Sequence, residues 1–259
     1  MSEQIYIKRL NNLKNKLSGM GVDGILLTNL TSIRYLSGFT GSAASCLITT
    51  DGSYFISDGR YDVQSKEQVK GLERFIDFGT HISIIDKNNL IPNGLTLGFE
   101  SDHTSVSQFK AMQDTFSNVN WESTSMLMEN LQAVKDQSEL DAIRTAVEIT
   151  DAIYEEIIPM LKVGTTEKEV AIQLVTRYRQ ESDGEAYSPI VAGGPNSALP
   201  HAVPGNRPFE KGDFIVIDAA AKIAGYHADM TRTPVVGEAS GKHREIYNIV
   251  KEAQQAGCN

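Results

Sequence analysis

Cysteine is nearly absent from this chain. Two occur in 259 residues, Cys46 inside "SCLITT" and Cys258 near the end, too few for a disulfide framework or a cysteine zinc site and in keeping with a reducing, cytoplasmic setting. Basic residues are also in deficit. The 24 Lys and Arg are outnumbered by 33 Asp and Glu, for a net charge of −9, which argues against a nucleic-acid surface, since phosphates need clustered cations. No apolar run approaches the roughly 18 residues of a membrane span, and the N-terminal "MSEQIYIKRLNNLKNKLSGMG" interleaves charge with apolar residues, so neither membrane insertion nor export is expected. Repeats and low-complexity segments are missing too.

What is present reads as two α/β domains, as the length allows. Ile5, Leu10, Leu13 and Leu17 recur at helical spacing up to Gly19 and Gly21 and predict an opening amphipathic helix. "DGILLT" predicts a strand, and "SCLITT" and "SYFISD", separated by Asp51-Gly52, predict a hairpin. Strand-like and helical pieces then alternate, as in a small α/β domain with a largely buried sheet. This domain is expected over residues 1–125, with a second over 126–259. The second opens with an amphipathic helix from about Ser138 to Leu161, charges outward. Another follows over "TTEKEVAIQLVTRYRQESDG", with Thr165 as its cap, Lys168 where a capping box wants Glu, and Gly184 beyond its end. Strands and tight turns come next, and a last helix begins near Lys242.

Two aspartates stand out in "VIDAAAKIAGYHADMTRT", Asp218 and Asp229. "DFIVID" and "GYHADMTRT" are strand-like, and "KIAG" between them predicts a turn ending in Gly225. Centring that turn between Ile223 and Ala224 sets Asp218 directly opposite Asp229, with Cβ atoms about 5 Å apart. Like charges at that distance repel unless a cation lies between them, and hard divalent cations take carboxylate oxygens. A solvated pair on an exposed sheet face is the alternative on spacing alone. His201 lies between Pro200 and Pro204 in a loop rich in Gly, Asn and Ser, where rigid turns can hold a side chain at a fixed angle, although it reads equally as an ordinary loop histidine.

"YLSGFTGSA", "DGRY", "IVAGGPNSALPHAVPG", "KGDFIVID" and "GYHADMTRT" stand in the order and spacing of the Xaa-Pro aminopeptidases and prolidases. The chain therefore resembles the creatinase-type pita-bread metallopeptidases over nearly its whole length. That resemblance implies a creatinase-like α/β N-terminal domain followed by the first half of a pita-bread fold, α/β (α+β) in class. It implies two divalent metal ions, Mn²⁺ foremost with Co²⁺ or Zn²⁺ as alternatives. Asp218 resembles the ligand that binds one metal with both oxygens, and Asp229 the bridging ligand. His201 resembles the active-site histidine beside the substrate, Tyr187 a residue lining the substrate site, and Thr231 a supporting partner of the ligands. His227 does not occupy a ligand position and is expected to be a surface or structural residue; His243, His81 and His103 are expected to be solvated, and Arg232 structural. The family's remaining ligands, one histidine and two glutamates, are expected beyond Asn259, so the chain is expected to be a shortened and inactive form of an enzyme that releases an N-terminal residue preceding proline. The implied partner is a peptide with proline at its second position; half of a pseudo-symmetric domain is expected to leave an apolar sheet face uncovered, so a homo-oligomer, a dimer or larger, is expected. Two other readings stand beside this one, an Xaa-Pro dipeptidase and a non-catalytic peptide-binding module.

Overall fold

The computed structural model describes residues 3–259. The chain divides into two compact units, Met1–Lys135 and Asp136–Asn259. The division falls later than residue 125, because the helix over Leu127–Ala133 belongs with the first unit: Leu127, Met128 and Leu131 pack into that unit's core.

The first unit runs α1 (Glu3–Met20), β1 (Gly24–Leu27), α2 (Leu30–Ser37), β2 (Ser45–Thr49), β3 (Ser53–Asp58), α3 (Asp62–Gln68), β4 (Glu73–Asp77), α4 (His81–Lys87), β5 (Thr96–Glu100), α5 (Val106–Thr115), β6 (Asn120–Thr124) and α6 (Leu127–Ala133). Its strands form one mixed sheet in the order β4-β3-β2-β1-β5-β6. β1 and β2 are buried at every position, as strands covered on both faces must be. On one side Leu10, Leu13 and Leu17 of α1 pack with Ile25, Leu27, Ile33 and Phe55; burying each such side chain stabilises by roughly 1.5–3 kcal/mol. The β2–β3 hairpin forms where expected, but its tip is Thr50-Asp51: Ile48 pairs with Ser53, and Thr49 N–H donates to Gly52 O at 2.9 Å. His81 is half-buried with Nδ1 2.8 Å from Ser45 Oγ, so it is part of the packing and not solvated. His103 is exposed.

The second unit runs α7 (Gln137–Ile157), α8 (Glu167–Glu181), β7 (Ile190–Gly193), β8 (Ile215–Asp218), β9 (Lys222–Ile223), β10 (Tyr226–His227), β11 (Thr231–Arg232) and α9 (Gly241–Cys258). Asp136 caps α7 in a full capping box with Glu139. Glu139 is an exception to the outward charges, being 2% exposed with Oε1 accepting from Tyr226 Oη at 2.8 Å. The cap of α8 is Thr166, with Glu169 completing its capping box, one position later than the sequence suggested. Thr165 instead accepts from Phe209 N–H at 2.8 Å. Ala146, Ile153 and Ile157 of α7 and Val170 and Leu174 of α8 pack on Val191, Ile215, Ile217 and Ala219–Ala221. α9 buries no residue. His243 at its head is again not simply solvated, because its Nδ1 accepts from Ser240 N–H at 3.0 Å and its ring meets Phe214 edge-on. Among the described residues no helix is long and apolar enough to cross a membrane.

Candidate metal centre

The segment from Ile215 to Arg232 folds back on itself as one long hairpin. Ile223 pairs with Tyr226 and Lys222 with His227, so the tip is Ala224-Gly225, whose φ angles are 51° and 84°. Two successive left-handed residues make the type I′ turn that matches strand twist. The same register carries through Ala228 N–H to Ala221 O at 3.1 Å and Ala219 N–H to Met230 O at 3.2 Å to Thr231 opposite Asp218, although Ala221 N–H leaves the ladder for Thr150 Oγ1.

This register corrects the expected one. Asp229 stands opposite Ala220, not opposite Asp218, and the two carboxylates are diagonal neighbours. The positive-φ pair lies one residue later than the centre inferred from "KIAG", which shifts every pairing by two. A shift of two leaves side chains on their original face, so Asp218, Asp229 and Thr231 still share one.

Tyr187 closes the arrangement. Ala186 N–H donates to Ala220 O at 2.7 Å, while Ile190 pairs with Asp218, so the chain takes four steps where its partner strand takes two. Pro189 lies inside this bulge and has no N–H for the ladder. The bulge turns the half-buried Tyr187 toward the aspartates, and its hydroxyl donates to Asp218 Oδ1 and lies 3.2 Å from Asp229 Oδ1. Burial pushes the Tyr187 phenol up, and its bonds to both carboxylates push the same way, so it stays protonated at neutral pH.

Two residues of α7 support the hairpin from below. Tyr154, 3% exposed, donates to Met230 O at 2.7 Å and lies 3.2 Å from Ile217 O. Thr150 Oγ1 accepts from Ala221 N–H at 3.0 Å. Neither stood out in the sequence, because a Tyr and a Thr on the inner face of an amphipathic helix read as ordinary core.

The other sequence candidates are placed apart from this cluster. His201 is exposed and among the described residues makes no side-chain hydrogen bond to Asp218, Asp229 or Tyr187. His227 is exposed, across the ladder from Lys222; burial and then the Lys222 charge lower its pKa. Arg232 turns its guanidinium onto Thr231 O at 2.9 Å.

The donor set suits a hard cation in kind. Two carboxylates share a face with no Lys or Arg between them, and the group that joins them is a neutral phenol. In number it is partial: no cluster of three or more His, Cys, Asp or Glu able to hold a metal forms among the described residues.

A mixed-sheet domain followed by helices laid on a hairpin with paired aspartates is the layout of a two-domain pita-bread metallopeptidase. Residues 9–134 match the Creatinase/Prolidase N-terminal domain and residues 141–259 match Metallopeptidase family M24. The chain is 34% identical to the uncharacterized peptidase YqhT of Bacillus subtilis over 96% of its own length and 71% of that protein. It superposes on an Xaa-Pro dipeptidase from Bacillus anthracis with a TM-score of 0.91 and 38% identity, covering 98% of this chain and 72% of that one. On an X-Pro aminopeptidase from Thermotoga maritima the TM-score is 0.84 with 33% identity, over 95% of this chain and 70% of that one. The chain belongs to metallopeptidase family M24.

Proposed function

We propose that the second unit serves hydrolysis of the bond between an N-terminal residue and a following proline. The observation that carries this reading is the convergence of Asp218 and Asp229 on the Tyr187 hydroxyl. Asp218 and Asp229 would hold the divalent metal, Mn²⁺ foremost with Co²⁺ or Zn²⁺ as alternatives. Once bound, it supplies Lewis-acid activation of water and of the scissile carbonyl. Tyr187 keeps one proton between the two carboxylates and lines the substrate side of the sheet. Thr231, opposite Asp218, steadies that carboxylate's strand position. His201, exposed on its Pro-flanked loop, is the group that meets the peptide and the charge developing on its carbonyl. The Xaa-Pro dipeptidase reading rests on the Bacillus anthracis likeness and differs only in peptide length.

Two aspartates offer part of the six or so oxygen positions such cations prefer. The chain alone is therefore expected to bind Mn²⁺ loosely and to hydrolyse Xaa-Pro peptides at background rate, acting at most as a peptide-binding module. Calorimetric titration with MnCl₂, beside an assay of N-terminal residue release, tests both points. Mn²⁺ binding that survives Asp229→Asn refutes the site, and metal-stimulated release abolished by Asp229→Ala refutes the expected inactivity. We further place the chain in the cytoplasm, on its scarcity of cysteine, and assign it a homo-oligomeric state, most simply a dimer. The contact would be through α9, whose Ile246, Tyr247, Ile249 and Val250 are exposed.

A further inference from the structure

We infer that Glu167 is the positioning residue of the His201 loop. Its side chain is wholly buried at the first turn of α8. One oxygen, Oε1, accepts from Gly193 N–H at 2.8 Å and from Asn196 Nδ2 at 2.9 Å, where the loop begins. The other, Oε2, accepts from Gly205 N–H at 2.9 Å, where it ends. A single carboxylate thus fastens both ends of the segment that carries His201. Lys168 N–H returns a bond to Gly205 O at 3.0 Å.

In the middle of the loop Ala202 is buried but its neighbours are open to solvent. Leu199 is 55% and Val203 85% exposed. Its internal bonds, Ser197 Oγ to Gly194 O at 2.6 Å, Leu199 N–H to Asn196 O at 2.9 Å and Ala202 N–H to Leu199 O at 3.2 Å, fix local turns; outside them, Gly194 N–H donates to Phe214 O at 2.8 Å at the start of the loop. Gly193 belongs to the same device: a Cβ there would come within 2.7 Å of the Phe209 ring, so only glycine brings that N–H to Glu167.

The carboxylate is required because all three partners are donors. A glutamine of the same shape has one acceptor oxygen and must turn its NH₂ toward one end of the loop. Glu167→Gln therefore releases one end without changing side-chain volume.

The inference deepens the proposed role of His201 and rests on it, so its test reads the loop without substrate. The full chain is labelled with ¹⁵N and with ¹³C in the histidine rings. Glu167→Gln should speed amide exchange at Gly205 or Gly193 about tenfold, the equivalent of one lost bond to a charged group. It should also shift and narrow the His201 ring signal, leaving the His227 ring signal and the Mn²⁺ titration of Asp218 and Asp229 unchanged within about twofold. Val170→Ala, in the core-facing side of the same helix, serves as a variant of comparable lost stability and should move neither loop signal. Parent-like exchange and ring signals in Glu167→Gln, or the same changes in Val170→Ala, overturn the inference. Addition of the dipeptide Ala-Pro to the parent chain tests the role of His201 separately: an unmoved His201 signal refutes that role, whatever Glu167→Gln does to amide exchange.

Discussion

Replacing Asp229 by Asn should stabilise the metal-free protein. Asp229 Oδ1 lies 3.2 Å from the Tyr187 hydroxyl, which donates to Asp218 Oδ1, so the two oxygens are at most about 6 Å apart. At an effective dielectric of 40 to 80 for this open face, two unit charges at that distance repel by about 0.7–1.4 kcal/mol. The asparagine oxygen can still approach Tyr187, so most of that repulsion is recovered. A gain of about 0.5–1 kcal/mol is expected, or about 2–4 °C in Tm. Asp218→Asn should give less, because it also strips the charge from the stronger Tyr187 bond, which offsets the gain. In the parent chain Mn²⁺ at ten times its dissociation constant should add about 1.4 kcal/mol, and both variants should lose that response. Calorimetric melts in EDTA and in MnCl₂ read every one of these values. The gain in EDTA should also vanish in about 1 M NaCl, where the screening length falls to about 3 Å. A lower metal-free Tm for Asp229→Asn, or an undiminished Mn²⁺ shift, would falsify the shared-site geometry.

Ala224→Gly should stabilise the second unit by about 0.5–1 kcal/mol by relieving a left-handed alanine; urea melts that show destabilisation would place the hairpin tip elsewhere. In the first unit, burial lowers the His81 pKa below its usual 6.5. The unfolded chain then binds the proton more readily than the native state, so stability is complete above about pH 6.5 and declines as pH falls through the depressed value. Trp121, the sole tryptophan, lies in that unit, so urea titrations followed by its fluorescence at pH 7.5 and 5.5 should show the loss, and His81→Gln should flatten it. An unchanged slope in the variant rejects His81 as the cause. Sedimentation should show concentration-dependent association that Ile249→Lys on α9 weakens; a monomer at all concentrations in the parent chain counts against the proposed dimer.

The elements themselves could be read from local pattern. Leu10, Leu13 and Leu17 announce α1 because a helix repeats its buried face within a few residues, and the strand runs of the first unit are short and β-branched. What failed was register, at both hairpins. The expected tips were Asp51-Gly52 and Ile223-Ala224, yet the first is Thr50-Asp51 and the second is Ala224-Gly225. A glycine signals a turn without saying which of its positions it fills; the facing strand decides that, and it lies outside any local window. The capping residue of α8 slipped by one for a similar reason, since Thr165 and Thr166 are equivalent until Phe209 claims the carbonyl of the first. At the site, Asp218, Asp229 and Tyr187 were legible as chemistry, and the fold brings them within hydrogen-bond reach. Tyr154, Thr150 and Glu167 were not, because their partners lie far along the chain and, apart from Asn196 on Glu167, are backbone groups, which no side-chain pattern reveals.

The constant register beneath the Ala224-Gly225 tip makes the length of this hairpin a matter of parity. Adding or removing two residues at the tip moves it outward or inward and leaves Asp218, Asp229 and Thr231 on their common face. Adding one sends Asp229 to the opposite face, into the side packed by α7. Insertions and deletions at this tip among related chains should therefore come in even steps, and an odd step should be found only together with a bulge that restores the count.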